Sequence, residues 1–275
     1  MNRSYVLRLA LVWVAIFLLL AGAFRLLEFD LAFMSHWVGF LFQGIGYTII
    51  VSAISIFFAV ILALIGALAR LSRNPVANGI STFYVSFVRG TPLLVQVYMI
   101  YLGLPQVGQS LETLGVKMMG TGAPAWVPGL FAWLAGLFVL DAIPSGILAL
   151  SINYGAYMTE TFRAGIQSIH GGQREAALAL GMTPAQCMRR IILPQALRIV
   201  IPPVGNDFIA MLKDSSLVSL MGVMELTWRA QKVGRRYFRS LELLTIAALF
   251  YWIMTIALQT VQGRIEERLG RGRQR

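Results

Sequence analysis

Residues 170–203 read HGGQREAALALGMTPAQCMRRIILPQALRIVIPP, and the helix punctuation in this stretch organises the rest of the chain around it. Gln173 to Leu180 is a run of strong helix formers with Glu175 near its electropositive N-terminal end, and Gly181 supplies a left-handed stop. Thr183 then caps a second helix, with Pro184 at its first position and Gln186 placed to complete a capping box. Pro194 is expected to end that second helix near Leu193. The expectation is a helix, a turn at glycine and another helix. Ala176, Ala177 and Ala179 are expected on its surface, where small side chains let another protein approach the backbone closely. A docking stub and an ordinary connecting loop both fit this composition.

Outward from this stretch the chain turns apolar. Of 275 residues 57% are hydrophobic and 13% charged, too apolar for an ordinary soluble domain, so lipid is the expected solvent. Six runs approach the roughly 20 residues needed to cross the hydrocarbon layer: 5–24, 38–69, 84–104, 143–163, 196–220 and 240–262. Six spans put both termini on one side. Placing that side in the cytoplasm gives it most of the Lys and Arg, including Arg174, Arg189, Arg190 and the C-terminal arginines Arg264, Arg268, Arg271, Arg273 and Arg275. The run from Leu9 follows Arg3 and Arg8 like a secretory signal, but continues to Phe24 with no small-residue cleavage site, and is read as a retained helix. Residues 112–140 carry Gly120, Gly122, Pro124 and Pro128 before a short apolar run, and are expected to form an external loop with an interfacial or re-entrant piece. A spanning segment there would invert everything downstream.

The net charge of +11 fits loops facing anionic headgroups better than nucleic acid, because the cations sit between apolar runs. The lone Cys187 excludes an intrachain disulfide and a cysteine-based zinc site, and His36 and His170 are too isolated to make a metal centre.

Polar groups inside the spans mark a pathway. Pro202-Pro203 removes two backbone donors from the fifth run and is expected to break it, and Asn206 and Asp207 follow within that run. Asn153 and Glu160 are seven residues apart, on nearly one helical face. Glu160 either meets a substrate cation, with Gln96 and Asn206 as hydrogen-bonding neighbours, or pairs with Arg163 or Arg89 and fixes packing. Arg89-Gly90-Thr91-Pro92 breaks the start of the third run, with Arg89 reaching for the headgroups. The basic cluster Arg229–Arg239 suits either a docking protein or phospholipid.

Glu175-Ala176-Ala177, Gly181, Ile191, Leu193 and Pro194 reproduce at full spacing the EAA loop, EAA-x3-G-x9-I-x-LP, of binding-protein-dependent ABC importer permeases. The flanks VRGTPLLVQVYMIYLGLP (88–105), LALSINYGAYMTETFRAGIQSI (148–169) and LPQALRIVIPPVGNDFIAMLKDSSLVSLMGVMEL (193–226) resemble the polar amino acid permeases of the histidine and glutamine type. The resemblance implies an all-α integral membrane protein with the ABC type I importer permease fold, about six transmembrane helices and a cytoplasmic coupling helix. It implies a division into an additional N-terminal helix and external loop (1–37), a transmembrane domain (38–262, EAA loop 175–194) and a basic cytoplasmic tail (263–275). It further implies that the seven motif residues couple the chain to an ABC ATPase. A periplasmic or extracellular amino-acid-binding protein and a second permease subunit complete the implied assembly in the bacterial inner membrane. ATP and Mg are expected on the ATPase and no cofactor in this chain, since no G-x-x-x-x-G-K-[ST] phosphate cradle occurs in it. An ion-driven carrier explains the apolar runs equally well but not the EAA spacing. A membrane enzyme lacks convergent acid, base or metal ligands.

Overall fold

The computed structural model describes residues 3–120, 124 and 126–270, so Gly122, Arg271, Arg273 and Arg275 lie outside the described residues. Those residues form helices and connections without a strand. They are α1 (Arg3–Leu26), α2 (Leu31–Leu71), α3 (Pro75–Arg89), α4 (Leu93–Met119), α5 (Trp126–Gly136), α6 (Ala142–Gln167), α7 (Gly171–Ala179), α8 (Pro184–Cys187), α9 (Leu193–Asp214), α10 (Leu226–Tyr237) and α11 (Ser240–Gly270). A π-helical segment, Met188–Ile192, links α8 to α9, and a 3-10 segment, Ser215–Met221, follows α9.

α2 and α11 are long and apolar enough to cross a membrane by themselves, and α3 with α4 meets the same test as a pair bent by 108°. α6 falls short of that test and sits at the centre of the bundle, with polar side chains turned inward. Ser145, Ser151, Asn153 and Thr159 are all buried along it. Its main partner is α2, where Ala59, Ala63 and Ala67 repeat every four residues and are fully buried. Small residues let the two backbones approach, which is how helices gain packing where lipid removes the hydrophobic drive. A Cβ on Gly155 of α6 would stand 2.9 Å from the Cβ of Leu62. Ser55 and Ser151 stitch the pair by donating to Ile147 O and Ser55 O at 3.4 and 3.2 Å. A second core joins Leu41 of α2, Leu212 of α9, Leu226 of α10 and Leu243 of α11.

Several sequence expectations are corrected by this packing. The run 84–104 is not one straight span: it turns 108° between α3 and α4, at Gly90-Thr91-Pro92. α2 starts at Leu31, capped by the Asp30 carboxylate that accepts from Phe33 N, so residues 31–37 belong to it and not to an external loop. Residues 112–119 are the end of α4 instead of a loop, and α5 folds back along it. Residues 263–270, assigned to a tail, continue α11.

Pro194 does not end the second helix of the opening stretch. Proline lacks the N–H that would bond the carbonyl four residues back. The backbone instead widens to a π-helix, with Leu193 N bonding Met188 O, and runs on into α9. α9 likewise passes Pro202 and Pro203 without a break in its α-helix, and the helix type changes only at Ser215. The Pro202 carbonyl accepts a hydrogen bond from Gln262 Nε2 of α11 at 3.2 Å, which ties α9 to α11, while the carbonyls that the two prolines leave without their usual donor are those of Arg198 and Ile199.

Candidate functional site: a closed helix stub below a polar pair

α7 is built as a rigid projection. His170 accepts from Gly172 N at its start. At its end Gly181 adopts φ +79°, with Gly181 N bonding Leu178 O at 3.0 Å and Met182 N bonding Ala177 O at 3.1 Å. These two bonds are the Schellman pattern, which needs a residue able to enter the left-handed region. The Thr183–Gln186 capping box then starts α8, both of its hydrogen bonds being present.

The alanines expected on the surface divide. Ala177 is only 4% exposed and belongs to the main core, because the Schellman turn folds α7 back against the rest of the loop. Glu175, Ala176 and Ala179 are exposed, as expected. Ile191 and Leu193 are half-buried and Pro194 exposed, so Ile191 and Leu193 seat the stub while Glu175 and Ala176 are presented by it. Two residues missed by the motif stand out: Leu178 is 45% exposed and Leu180 81%. Their signal was in the text, since a short polar-flanked helix outside the spans has nowhere to bury two leucines facing away from the core.

The structure brings two of the five candidate pathway residues together. Asn153 Nδ2 donates to Gln96 Oε1 at 3.0 Å, and both side chains are buried. Gln96 Nε2 in turn donates to Val88 O and Thr91 O at 2.7 and 3.0 Å, so it also holds the α3–α4 corner. Glu160 is not part of this pair. Its carboxylate is paired with Arg70 of α2 and with Arg163, whose Nη2 is 2.8 Å away. The expected Arg163 partner is therefore present, and Arg89 is not a partner, lying over the Tyr157 ring instead at 5.2 Å. Arg70 carried no sequence signal, being 90 positions away from Glu160 in the chain. Arg70, Thr82, Ser86, Arg89 and Glu160 line a groove of about 630 Å³. On α9 Asn206 is exposed and Asp207 half-buried. Among the described residues no His, Cys, Asp and Glu cluster is arranged to hold a metal ion.

The basic cluster after Glu225 is also divided. Arg229 is buried, donating to Phe40 O, Gln43 Oε1 and Met224 O, and so is not presented to any partner. Arg239 pairs with Asp30 at 2.8 Å. Lys232, Arg235 and Arg236 remain exposed.

The described residues thus form a helical membrane chain with polar residues buried between its spans and a helical stub beyond them. The chain belongs to the family of binding-protein-dependent transport system inner membrane components, which it matches over residues 59–271. It is 39% identical over 246 residues to the L-cystine transport system permease protein TcyB of Bacillus subtilis, covering 89% of this chain and 92% of that one. It is 32% identical over 243 residues to the glutamine transport system permease protein GlnP of Escherichia coli, covering 88% of this chain and 99% of that one. A crystal structure of an amino acid ABC transporter with histidines matches with a TM-score of 0.70 and 32% identity, over 87% of this chain and 99% of that one. The MetNI methionine transporter, at 19% identity and a TM-score of 0.61, shares the fold. The fold is thus that of type I ABC importer permeases, and the chain is a transporter subunit, with hydrolysis belonging to a partner ATPase. Membership in this family also implies a substrate-binding protein as partner.

Proposed function

We propose that this chain is the permease subunit that carries a polar amino acid into the cytoplasm, driven by an ABC ATPase that docks on α7. The observation that carries the coupling is the Schellman closure at Gly181, which fixes α7 as a stub with Glu175, Ala176, Leu178 and Leu180 outward and Ala177 inward. Glu175 and Ala176 form the contact, Ala177 seats the stub in the core and Gly181 makes its turn, with Ile191, Leu193 and Pro194 as its base. α7 leads directly from α6, and the widened helix after α8 leads into α9, so a displacement of the stub moves the two helices that carry four of the five candidate pathway residues. ATP and Mg are bound by the ATPase.

The amino-acid substrate rests on the relatives named for cystine and glutamine and on the polar interior. In this reading Gln96 and Asn153 hold α4 to α6 beside the path, Glu160 with its Arg70 and Arg163 partners stands near its inner end, and Asn206 and Asp207 lie along it on α9. Both termini are cytoplasmic, the membrane is the bacterial inner membrane, and a second permease subunit and an extracytoplasmic amino-acid-binding protein complete the importer.

The test is purification of the tagged chain from its native membrane in gentle detergent, alongside Glu175→Lys. A stoichiometric ABC ATPase that is lost in the variant is expected. Uptake that survives ATP depletion and follows an ion gradient would replace this reading with an ion-driven carrier.

A further inference from the structure

α4 is two-faced in a way that neither the coupling stub nor the Gln96–Asn153 pair explains. Gln106, Gln109, Ser110, Thr113 and Lys117 are all exposed, and on a 3.6-residue helix they fall within about 100° of one another. They line a cleft of about 470 Å³. The opposite face of α4 carries Gly108 and Gly115, both buried against α5. A Cβ on Gly108 would stand 2.9 Å from Ala135 O, and one on Gly115 would stand 2.6 Å from the Cβ of Phe131, so α5 is pressed onto that face at backbone distance.

The outer face of α5 is apolar and exposed. Trp126, Leu130 and Trp133, at 67, 43 and 63% exposure, recur at helical spacing there, while Phe131 and Ala135 turn towards α4. With lipid behind α5, the polar stripe points away from lipid, as the cost of leaving amides and an ammonium in hydrocarbon requires. The stripe also has a direction. Gln96 meets Asn153 in mid-α6, and Gly108 meets Phe138 just before α6 starts, so α4 runs antiparallel to α6 and carries the stripe from the level of its first turn onward.

We propose that this stripe is the solute-facing wall at the outer entrance of the translocation path, where its amides, hydroxyls and Lys117 receive the carboxylate of a small polar solute, with α5 sealing its back from lipid. The orientation and the solute class rest on the function proposed above. The chemistry of the wall matches the ligand: Gln and Ser or Thr side chains donate to carboxylate oxygens, and Lys117 supplies the one cation of the row. Gln96 lies on the same helix, ten residues and about 15 Å below Gln106.

The experiment uses the full transporter in its membrane with single cysteines introduced at Ser110 and Thr113 on the stripe, and at Leu130 and Trp133 on the outer face of α5. The unaltered chain is the blank, its Cys187 being 1% exposed. The probes are two membrane-impermeant methanethiosulfonates, one sulfonate and one trimethylammonium. Stripe cysteines are expected to label and α5 cysteines to resist. Relative to a free thiol, Ser110→Cys is expected to favour the sulfonate at least about three-fold, and Lys117→Gln to remove that preference. Stripe cysteines that resist both reagents, or that link spontaneously across two permease subunits, would overturn the wall. Equal reaction with both reagents would overturn carboxylate reception. Labelling is read without any amino acid, so a transporter that labels as expected but takes up no amino acid would refute the proposed function and leave the hydrated wall standing.

Discussion

Asn153 donates to Gln96 across the α6–α4 contact at 3.0 Å, and Gln96 spends its own N–H groups on the carbonyls of the α3–α4 corner. One buried amide thereby sets both a helix contact and a bend of 108°. Replacing Gln96 with Leu leaves the Val88 and Thr91 carbonyls and the Asn153 amide without their partner, a cost of about 1–3 kcal/mol. Gln96→Leu is expected to lower the thermal midpoint of the purified chain more than Asn153→Ala, which releases a single bond. Equal midpoints would show that the corner is held by Pro92 alone.

Gly181 sits at φ +79° with open space where a Cβ would go, so the barrier to substitution is backbone conformation and not a clash. Gly181→Ala is expected to cost about 1–2 kcal/mol locally and to loosen the end of α7. Uptake per ATP hydrolysed should fall while membrane insertion and abundance stay normal. The ratio of transport to hydrolysis in reconstituted vesicles checks this.

Leu180, 81% exposed, has no role in the fold of the isolated chain. Leu180→Asp is expected to change its stability by less than about 0.5 kcal/mol. Co-purification of the ATPase should be lost, because an apolar anchor in an interface dominates its affinity. A drop in the stability of the chain itself would instead mean that Leu180 packs inward.

Gly44 and Gly39 lie on one helix and predict opposite outcomes. A Cβ at Gly44 would stand 2.7 Å from the Leu226 backbone, whereas nothing lies within 4 Å of one at Gly39. Gly44→Ala is expected to pry α10 from α2 at a cost of about 1–3 kcal/mol. Gly39→Ala removes a flexible residue from an exposed helix face and is expected to be neutral or stabilising by up to about 1 kcal/mol. Thermal midpoints in detergent compare the two directly.

The Asp30 carboxyl is held below the usual carboxylate range, chiefly by the Phe33 N–H and then by the Arg239 guanidinium. A lowered folded value means that its contribution is present above the unfolded value, near pH 4, and is lost as pH falls through the folded one. Asn caps a helix as well as Asp does. The stability difference between the natural chain and Asp30→Asn is therefore expected to shrink as the medium is acidified below about pH 4, and to shrink also with added salt at neutral pH. A constant difference would show that the charge of Asp30 contributes nothing to stability.

The sequence by itself determined the solvent, the family and the stub. Apolar runs are written locally, and so are the Gly181 stop and the Thr183–Gln186 box, because each depends on the conformational range of one residue or on a hydrogen bond three residues long. Sequence reasoning went astray where a neighbour supplies what the local text lacks. Pro194 and Pro202-Pro203 read as breaks, yet the chain widens to a π-helix before the first and α9 runs on through the second pair, packed against α6 and α11. Arg229 read as a surface cation and is buried among carbonyls of α2 and its own loop. The pairing of Arg70 with Glu160, the Gln96–Asn153 contact and the inward turn of Ala177 belong to tertiary structure alone. Each joins groups whose separation along the chain carries no record of their distance in space, and the close helix packing permitted by small residues is what brings them together.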